Sequence, residues 1–197
     1  MDRFDISHNE LELGGLPLSL LAERVGQTPF YAYDRSLIAA RIRAVRQVLP
    51  HKVHLHYALK ANPMPALVSF VRPLVDGMDV ASAGELKLAL DAGADPQSIG
   101  FAGPGKRDAE LRQAVAAGVL LHVESERELR VLAESAQLVG RAARVALRIN
   151  PDFELRGAGM HMGGGAKPFG IDAEQVPALL RGMVQDGLVF EGFHIYP

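Results

Sequence analysis

From Lys52 onward the sequence repeats one unit: a short apolar stretch, a turn containing Gly, Pro, Ser or Asn, and an amphipathic helical stretch. The predicted strands lie near 53–59, 77–81, 98–102, 119–123, 144–149 and 188–195. The predicted helices lie near 64–73, 83–92, 107–117, 125–138 and 173–185. Helices of about ten residues between strands let consecutive strands run parallel through right-handed crossovers. The pattern therefore predicts an α/β fold.

Six predicted strands fit either an open sheet or part of a closed barrel. A (β/α)8 TIM-type barrel takes about 250 residues, so a chain of 197 residues has room for about six of its βα units. The last residues, Ile195-Tyr196-Pro197, come where a strand should pass into its loop, which would expose a sheet edge. We therefore expect an incomplete barrel, truncated or processed. A complete small α/β protein that ends on an edge strand is the alternative.

The residues before the repeating units predict fewer elements. Residues 1–27 are interpreted as a tether with a short helix over 16–25. Thr28–Asp34 is rich in aromatic and β-prone residues and predicts a strand, with Asp34 as the N-cap of the next helix. That helix should run from Arg35 to about Leu49 and end at Pro50.

Composition excludes several classes of protein. With 48% hydrophobic and 22% charged residues, the chain resembles an ordinary soluble globular protein. A net charge of −2 without a basic stripe argues against nucleic acid as a partner. No apolar run is long enough to span a bilayer, and the acidic start does not resemble a secretory signal, so we expect a cytoplasmic protein without a membrane partner. The absence of cysteine removes disulfides, thiolate nucleophiles and sulfur ligands, and no metal site is predicted.

Lys60 is the strongest candidate for a catalytic residue. Alternating and apolar residues precede it from Val53 to Leu59, and Asn62-Pro63 stops the strand. Lys60 is therefore predicted at the carboxyl end of a strand, where barrel and doubly wound enzymes place their reacting groups. An amine there can form a Schiff base with a carbonyl compound. Position alone also fits a surface lysine at the end of a strand.

Two charged residues in other predicted strands are further candidates. Asp79 lies near the end of the second strand. Arg148 lies inside an apolar strand, where an unpaired charge would be costly, so it requires a partner. Glu85 and Ser82 are also close to Asp79 in sequence, but helix-dipole and N-cap preferences explain both without any catalytic role.

The glycine-rich stretch 163–167 is not a phosphate loop. It lacks the required spacing, and Pro168 follows Lys167 where Ser or Thr would be needed. The length and glycine content of 151–170 predict a mobile loop over the mouth of the barrel. His161 in this loop and Lys106 after the third strand are predicted to face solvent.

Several blocks, in order, resemble the pyridoxal-phosphate decarboxylases of the alanine-racemase-like barrel type, which include diaminopimelate and ornithine decarboxylases. The blocks are Tyr57-Ala58-Leu59-Lys60-Ala61-Asn62, Gly77-Met78-Asp79-Val80-Ala81-Ser82, Arg148-Ile149-Asn150-Pro151, Lys167-Pro168-Phe169-Gly170-Ile171 and Gly192-Phe193-His194. The resemblance covers nearly everything after Thr28.

This resemblance implies pyridoxal 5'-phosphate (PLP) as cofactor, Lys60 as the amine that binds it covalently, and Asp79, Arg148, His194 and Tyr196 beside it. Relatives commonly read Gly-x-His-x-His-x-Gly-Ser in the last block, where one histidine stacks on the pyridine ring. Here His194 matches the first histidine, and Tyr196 stands in place of the second. A tyrosine can stack on a ring, but it cannot carry a positive charge as histidine can.

The resemblance also implies an organisation of the protein. Residues 1–34 would form an N-terminal tether and strand toward a second, β-rich domain mostly outside this chain, and 35–197 a partial PLP-binding barrel. In the family the phosphate-binding glycine loop, the acid paired with the ring nitrogen and the substrate-binding cysteine and aspartate come later than Pro197. The partner subunit contributes to the site in these enzymes, so a homodimer is implied.

The implied function is PLP-dependent removal of the α-carboxylate of an amino acid, with meso-diaminopimelate or a related basic amino acid as substrate. This activity would make the protein a lyase of lysine biosynthesis. Gly159–Gly165 also looks like relatives that act on a carrier-protein-bound amino acid, which is one alternative. An amino-acid racemase of the same fold and a non-enzymatic PLP carrier are two others.

Overall fold

The computed structural model of the protein describes residues 4–151, 168–183 and 187–196. The chain separates into two compact units, 1–53 and 54–197. The predicted division of the domains between residues 34 and 35 stays a prediction, as do the roles assigned to the two parts.

The first unit begins with a small antiparallel sheet that the sequence did not predict. Its strands are β1 (Ile6–Ser7), β2 (Glu10–Leu13) and β3 (Leu16–Pro17), paired in that order. Strands of two to four residues are too short to produce a recognisable alternation, which is why periodicity missed them. Helix α1 (Leu18–Val25) follows at once and ends at Gly26 in the left-handed conformation that favours glycine.

The strand predicted over Thr28–Asp34 is wrong, because this segment has no regular secondary structure. Tyr31 in its middle is 91% exposed. β-prone residues form a strand only where a neighbouring strand or a packed face receives them, and local preference does not supply that neighbour. The predicted cap is confirmed: the Asp34 carboxylate accepts the amides of Ser36 and Leu37 at the start of α2 (Arg35–Val48).

The second unit is a partial α/β barrel built on a parallel sheet. Its strands pair in the order β10-β8-β7-β6-β5-β4, and β9 pairs with β8 outside this path. The strands are β4 (His56–Ala58), β5 (Gly77–Val80), β6 (Ile99–Phe101), β7 (Leu120–Val123), β8 (Ala143–Asn150), β9 (Ile171–Asp172) and β10 (Leu188–Ile195). All six predicted strands of the repeat are present, although β4 is shorter than predicted. The two-residue β9 was not predicted.

Helices connect these strands, as the repeat predicted. They are α3 (Pro65–Val71), α4 (Ala83–Asp91), α5 (Asp108–Ala117), α6 (Glu126–Val139) and α7 (Val176–Gly182). Each of α4 and α6 begins at a serine, Ser82 or Ser125, whose hydroxyl accepts the amide three residues later. No helix in the described ranges has both the length and the apolar composition needed to cross a membrane.

The hydrophobic core lies between the sheet and these helices. Strand residues such as Phe101, Leu121 and Leu147 are fully buried against helix residues such as Leu111 and Leu132. Burying each such side chain stabilises the fold by about 1.5–3 kcal/mol. Because this packing holds the strands in place, it also sets the positions of their carboxyl ends. The residues of the candidate site lie at these ends.

Candidate active site

Lys60 lies directly after β4, in the one-turn 3-10 helix Leu59–Ala61. Leu59 is fully buried and anchors this turn, whereas Lys60 is exposed. The Tyr57 hydroxyl donates to the carbonyl of Asn62 at 2.9 Å, and the Asn62 side chain accepts the amide of Met64 at 3.0 Å. The residues around Lys60 therefore hold its backbone, while its side chain is exposed.

Lys60 lines a cavity of about 660 Å³ at the carboxyl ends of the strands. Its volume is in the range of small-molecule and cofactor sites. All five residues predicted for the cofactor site line this one cavity: Lys60, Asp79, Arg148, His194 and Tyr196. They come from β4, β5, β8 and β10 and the residues that follow them, so the parallel sheet brings together positions far apart in sequence.

Asp79 is half-exposed, and its carboxylate lies 3.0 Å from Nδ1 of His56 on the neighbouring strand. This hydrogen bond raises the pKa of His56 above its ordinary value, and the negative charges of Asp79 and Asp76 act in the same direction while burial opposes them. Asp79 therefore presents a negative charge in the cavity beside a histidine that is readily protonated.

Arg148 is buried and has the partner that the sequence required. Its Nη1 donates to Oε1 of Glu124 at 2.9 Å, and the exposed fractions of the two side chains are 7% and 1%. The Glu124 carboxylate also accepts the amides of Gly103 at 2.7 Å and Gly170 at 3.1 Å. The Phe169 ring lies 4.8 Å from the guanidinium carbon, in a cation–π contact.

Lys106 does not face solvent as predicted; it is buried and lines the cavity. Its Nζ donates to the carbonyl oxygens of Gly103 and His122 and lies 3.1 Å from the Glu128 carboxylate. Burial lowers the pKa of Lys106, and Glu128 opposes this effect. Because its donors are engaged, Lys106 is not a second free amine. The position of Lys106 after a strand gave no signal of His122 and Glu128, which lie 16 and 22 residues further along the chain.

His194 packs against a histidine that sequence reasoning missed. The rings of His194 and His122 are 4.6 Å apart at their centroids, edge to face. Burial lowers the pKa of His122 to about 4, and the charges of His194, Lys106 and Arg148 add to this effect. The pKa of His194 is also lowered, first by burial and then by Arg148. Both rings are therefore neutral at pH 7. Alternation along β7 could have indicated that His122 faces the same side as the other cavity residues.

Two weaker candidates have the structural roles that the sequence indicated. The Ser82 hydroxyl caps α4, and the Glu85 carboxylate accepts the amide of Ala81 at 2.7 Å. Glu85 also lines the cavity. His161, the glycine-rich stretch 163–167 and most of the loop predicted over 151–170 lie outside the described residues.

The residues of the cavity fit PLP. An exposed primary amine, two rings that can pack on a flat heterocycle, a cation and a carboxylate converge on a space of the right size. The buried Nδ1 of His194 has no hydrogen-bond partner within the described part of the chain, which is the behaviour of a polar atom that awaits a ligand.

The chain is similar to several known decarboxylases. It is 43% identical over 146 residues to a diaminopimelate decarboxylase of Aquifex aeolicus, covering 74% of this chain and 34% of that protein. It is 38% identical over 172 residues to the L-glutamyl-(BtrI acyl-carrier protein) decarboxylase of Niallia circulans, covering 86% and 40%. The crystal structure of Helicobacter pylori diaminopimelate decarboxylase complexed with L-lysine matches with 30% identity and a TM-score of 0.83, covering 90% of this chain and 46% of that chain.

The chain thus spans between about a third and a half of the length of the proteins it matches. A family model for the pyridoxal-binding domain of pyridoxal-dependent decarboxylases matches residues 35–196. This match includes all the predicted cofactor residues and every element of the partial barrel. The chain belongs to the pyridoxal-dependent decarboxylases, and the part of it that matches the pyridoxal-binding domain of that family is residues 35–196.

Proposed function

We propose that the whole protein is a PLP-dependent decarboxylase that removes the α-carboxylate of an amino acid, with meso-diaminopimelate as its lead substrate. The observation that carries this proposal is the exposed amine of Lys60 in a cavity shared with Asp79, Arg148, His194 and Tyr196. The similarity to curated diaminopimelate decarboxylases supports the choice of reaction and substrate. L-lysine, present in the Helicobacter pylori complex, is the compound that diaminopimelate yields on losing one carboxylate.

Each residue of the cavity has a defined task in this proposal. Lys60 would bind the cofactor through its Nζ, and His194 and Tyr196 would pack on the ring and exclude water from it. Arg148 and Asp79 provide opposite charges that orient the cofactor and its substrate. Bound PLP supplies the electron sink for the carbanion left when carbon dioxide departs. The Nζ of Lys60 would also hold the proton that is returned to the α-carbon.

A carrier-protein-bound amino acid is a second candidate substrate. The 38% identity to the Niallia circulans enzyme extends over more of this chain than the match to the Aquifex aeolicus enzyme does. Because the chain covers only 40% of the Niallia circulans protein, this similarity does not separate free from tethered substrates. The homodimer and the cytoplasmic location implied by the sequence both stay predictions.

A direct assay tests the reaction. The purified full-length protein, loaded with PLP, is incubated with meso-diaminopimelate, ornithine, arginine and a carrier-linked glutamate, and carbon dioxide and amine product are measured. We expect carbon dioxide from diaminopimelate in the wild type and none in Lys60→Ala. If no compound is decarboxylated while an amino acid loses its optical activity, the protein is a racemase and the proposal is wrong.

A further inference from the structure

We infer that Glu124 is a positioning residue of the cofactor site, which acts by holding the guanidinium of Arg148 in place. This inference rests on the proposed PLP function. Glu124 lies directly after β7, and its side chain is 1% exposed. It does not line the cavity, so its effect on a bound cofactor must pass through the residues that do.

One carboxylate joins two residues of the cavity wall, Gly103 and Arg148, to Gly170, which follows a third wall residue, Phe169. Oε1 of Glu124 accepts Nη1 of Arg148 at 2.9 Å and the amide of Gly103 at 2.7 Å, and Oε2 accepts the amide of Gly170 at 3.1 Å. Gly103 follows β6, Arg148 lies in β8, and Gly170 directly precedes β9. The position of the guanidinium therefore depends, through Glu124, on the backbone at Gly103 and at Gly170.

The guanidinium depends on this contact because it is buried. A cation removed from water requires an anion with good geometry, and one that loses its partner is strongly destabilised. Phe169, next to Gly170, adds a ring contact at 4.8 Å from the guanidinium carbon. The segment that Glu124 anchors through Gly170 thus also carries the ring that packs against Arg148.

Glu124 is itself held by the neighbouring ion pair. Its backbone amide donates to Oε2 of Glu128 at 2.9 Å, and Glu128 is paired with Lys106. The four charged residues are two cations and two anions, so the cluster is balanced without a ligand. Lys106 and Glu128 fix the backbone of residue 124, and its side chain then fixes Arg148.

A neutral side chain of the same shape cannot replace this carboxylate. An ionised glutamate offers two accepting oxygens, whereas glutamine replaces one of them with an NH2 group that only donates. In Glu124→Gln that NH2 would face either the Gly170 amide or the Gly103 amide together with Arg148. At least one buried donor would lose its acceptor, and the charge that orients the guanidinium would disappear.

The test is a double-mutant cycle read by PLP affinity. PLP is titrated into the full-length apoprotein and followed by its visible absorbance in the wild type, Glu124→Gln, Arg148→Met and the double variant. We expect Glu124→Gln to weaken binding about 10-fold or more, as for a lost hydrogen bond to a charged group. The double variant should bind about as weakly as Arg148→Met alone, because Glu124 acts through Arg148.

Thermal stability supplies a second readout. Arg148→Met leaves the Glu124 carboxylate buried without its guanidinium, so adding Glu124→Gln should raise Tm in that background while lowering it in the wild type. A loss of Tm of equal size in both backgrounds would show that the two side chains are not coupled. Glu191→Gln is the matched control, because Glu191 pairs with Arg144 on the same strand β8 as Arg148. It should leave PLP affinity unchanged.

Several outcomes would overturn the inference. Wild-type PLP affinity in Glu124→Gln, or effects of the two substitutions that simply add, would show that Glu124 does not act through Arg148. If Glu124→Gln does not fold, Glu124→Asp is titrated instead; weakened binding supports the inference and wild-type affinity overturns it. A wild-type protein that binds no PLP, or binds it at a lysine other than Lys60, would instead overturn the proposed function.

Discussion

The Nζ of Lys106 lies 3.1 Å from Oε2 of Glu128, and the two side chains are 1% and 2% exposed. The same ammonium donates to the carbonyls of Gly103 and His122, which joins the turn after β6 to strand β7. Burial lowers the pKa of Lys106 and raises that of Glu128, and in each case the charge of the partner opposes the effect. The pair thus supports the wall of the cavity at a considerable cost in desolvation.

Lys106→Met should destabilise the protein by about 3–5 kcal/mol, because it leaves Glu128 as a buried charge without its partner. Adding Glu128→Gln should recover much of this loss, since the amide oxygen can still accept the Glu124 amide. The measurement is the free energy of unfolding in urea. Lys87→Met removes the exposed pair with Asp91 and is the control, expected to change stability by less than about 0.5 kcal/mol. Equal losses of stability in Lys106→Met and Lys87→Met would contradict this prediction.

Borohydride reduction of the PLP-loaded protein should attach the cofactor to Lys60 and leave Lys106 unmodified. Lys60 is exposed on the cavity, whereas the Lys106 amine is engaged by three oxygen partners. Mass spectrometry of the trapped peptide identifies the site, and Lys60→Ala should abolish the visible absorbance band of the bound cofactor. A label on any other lysine would show that Lys60 is not the attachment site.

His122 should make the fold less stable in acid. Its pKa is about 4 in the folded protein against an ordinary value of 6.5. Between these values the unfolded chain binds a proton that the folded chain does not, so stability falls as pH drops from 6.5 toward 4, by on the order of 1 kcal/mol per pH unit. The ring faces Asp79, Lys106, Arg148 and His194.

His122→Asn should therefore lose less stability than the wild type over this range, as measured by urea unfolding at a series of pH values. His56 shifts in the opposite direction. Its pair with Asp79 stabilises the fold fully below pH 6.5, and this contribution is lost as pH rises through the raised folded-state pKa. Both proteins contain His56, so the difference in their pH-dependent stability reports on His122 alone. Identical stability profiles in acid would rule out the role of His122.

Gly77→Ala should destabilise the protein severely. A methyl group on this residue would lie 2.4 Å from the backbone carbonyl oxygen of Ser98 and 2.5 Å from the ring of His56. Because Gly77 opens β5, the backbone would have to move in the middle of the sheet, which costs roughly 1–3 kcal/mol or more. Thermal unfolding provides the measurement.

Gly84→Ala is the matched control. Its new methyl would meet only the Ser82 hydroxyl, at 3.8 Å, within helix α4. Replacing a helical glycine with alanine should stabilise the protein by about 0.5–1 kcal/mol. The prediction for Gly77 would be wrong if both variants had a Tm at or above that of the wild type.

The sequence alone determined the order of strands and helices from residue 53 onward and the position of Lys60 at a strand end. These features depend on contacts within one element: apolar periodicity, the Asp34 and Ser82 caps, and the turn at Asn62-Pro63. The other residues predicted for the cofactor site came from the family resemblance, and they lie at the ends of the parallel strands or within them. Their convergence on one cavity follows from that topology.

Only the tertiary structure decided how the buried charges are paired. Glu124 meets Arg148 and Gly170, and Lys106 meets Glu128, across 22 to 46 residues of chain. Tertiary contacts also decided the outcome at Thr28–Asp34. The predicted strand does not form there because its β-prone residues have no sheet to join. Local sequence specifies the chemical groups of each residue, but burial and the charge of a partner exist only after distant segments have packed. These two factors hold the amine of Lys106 in place and leave Lys60 exposed on the cavity.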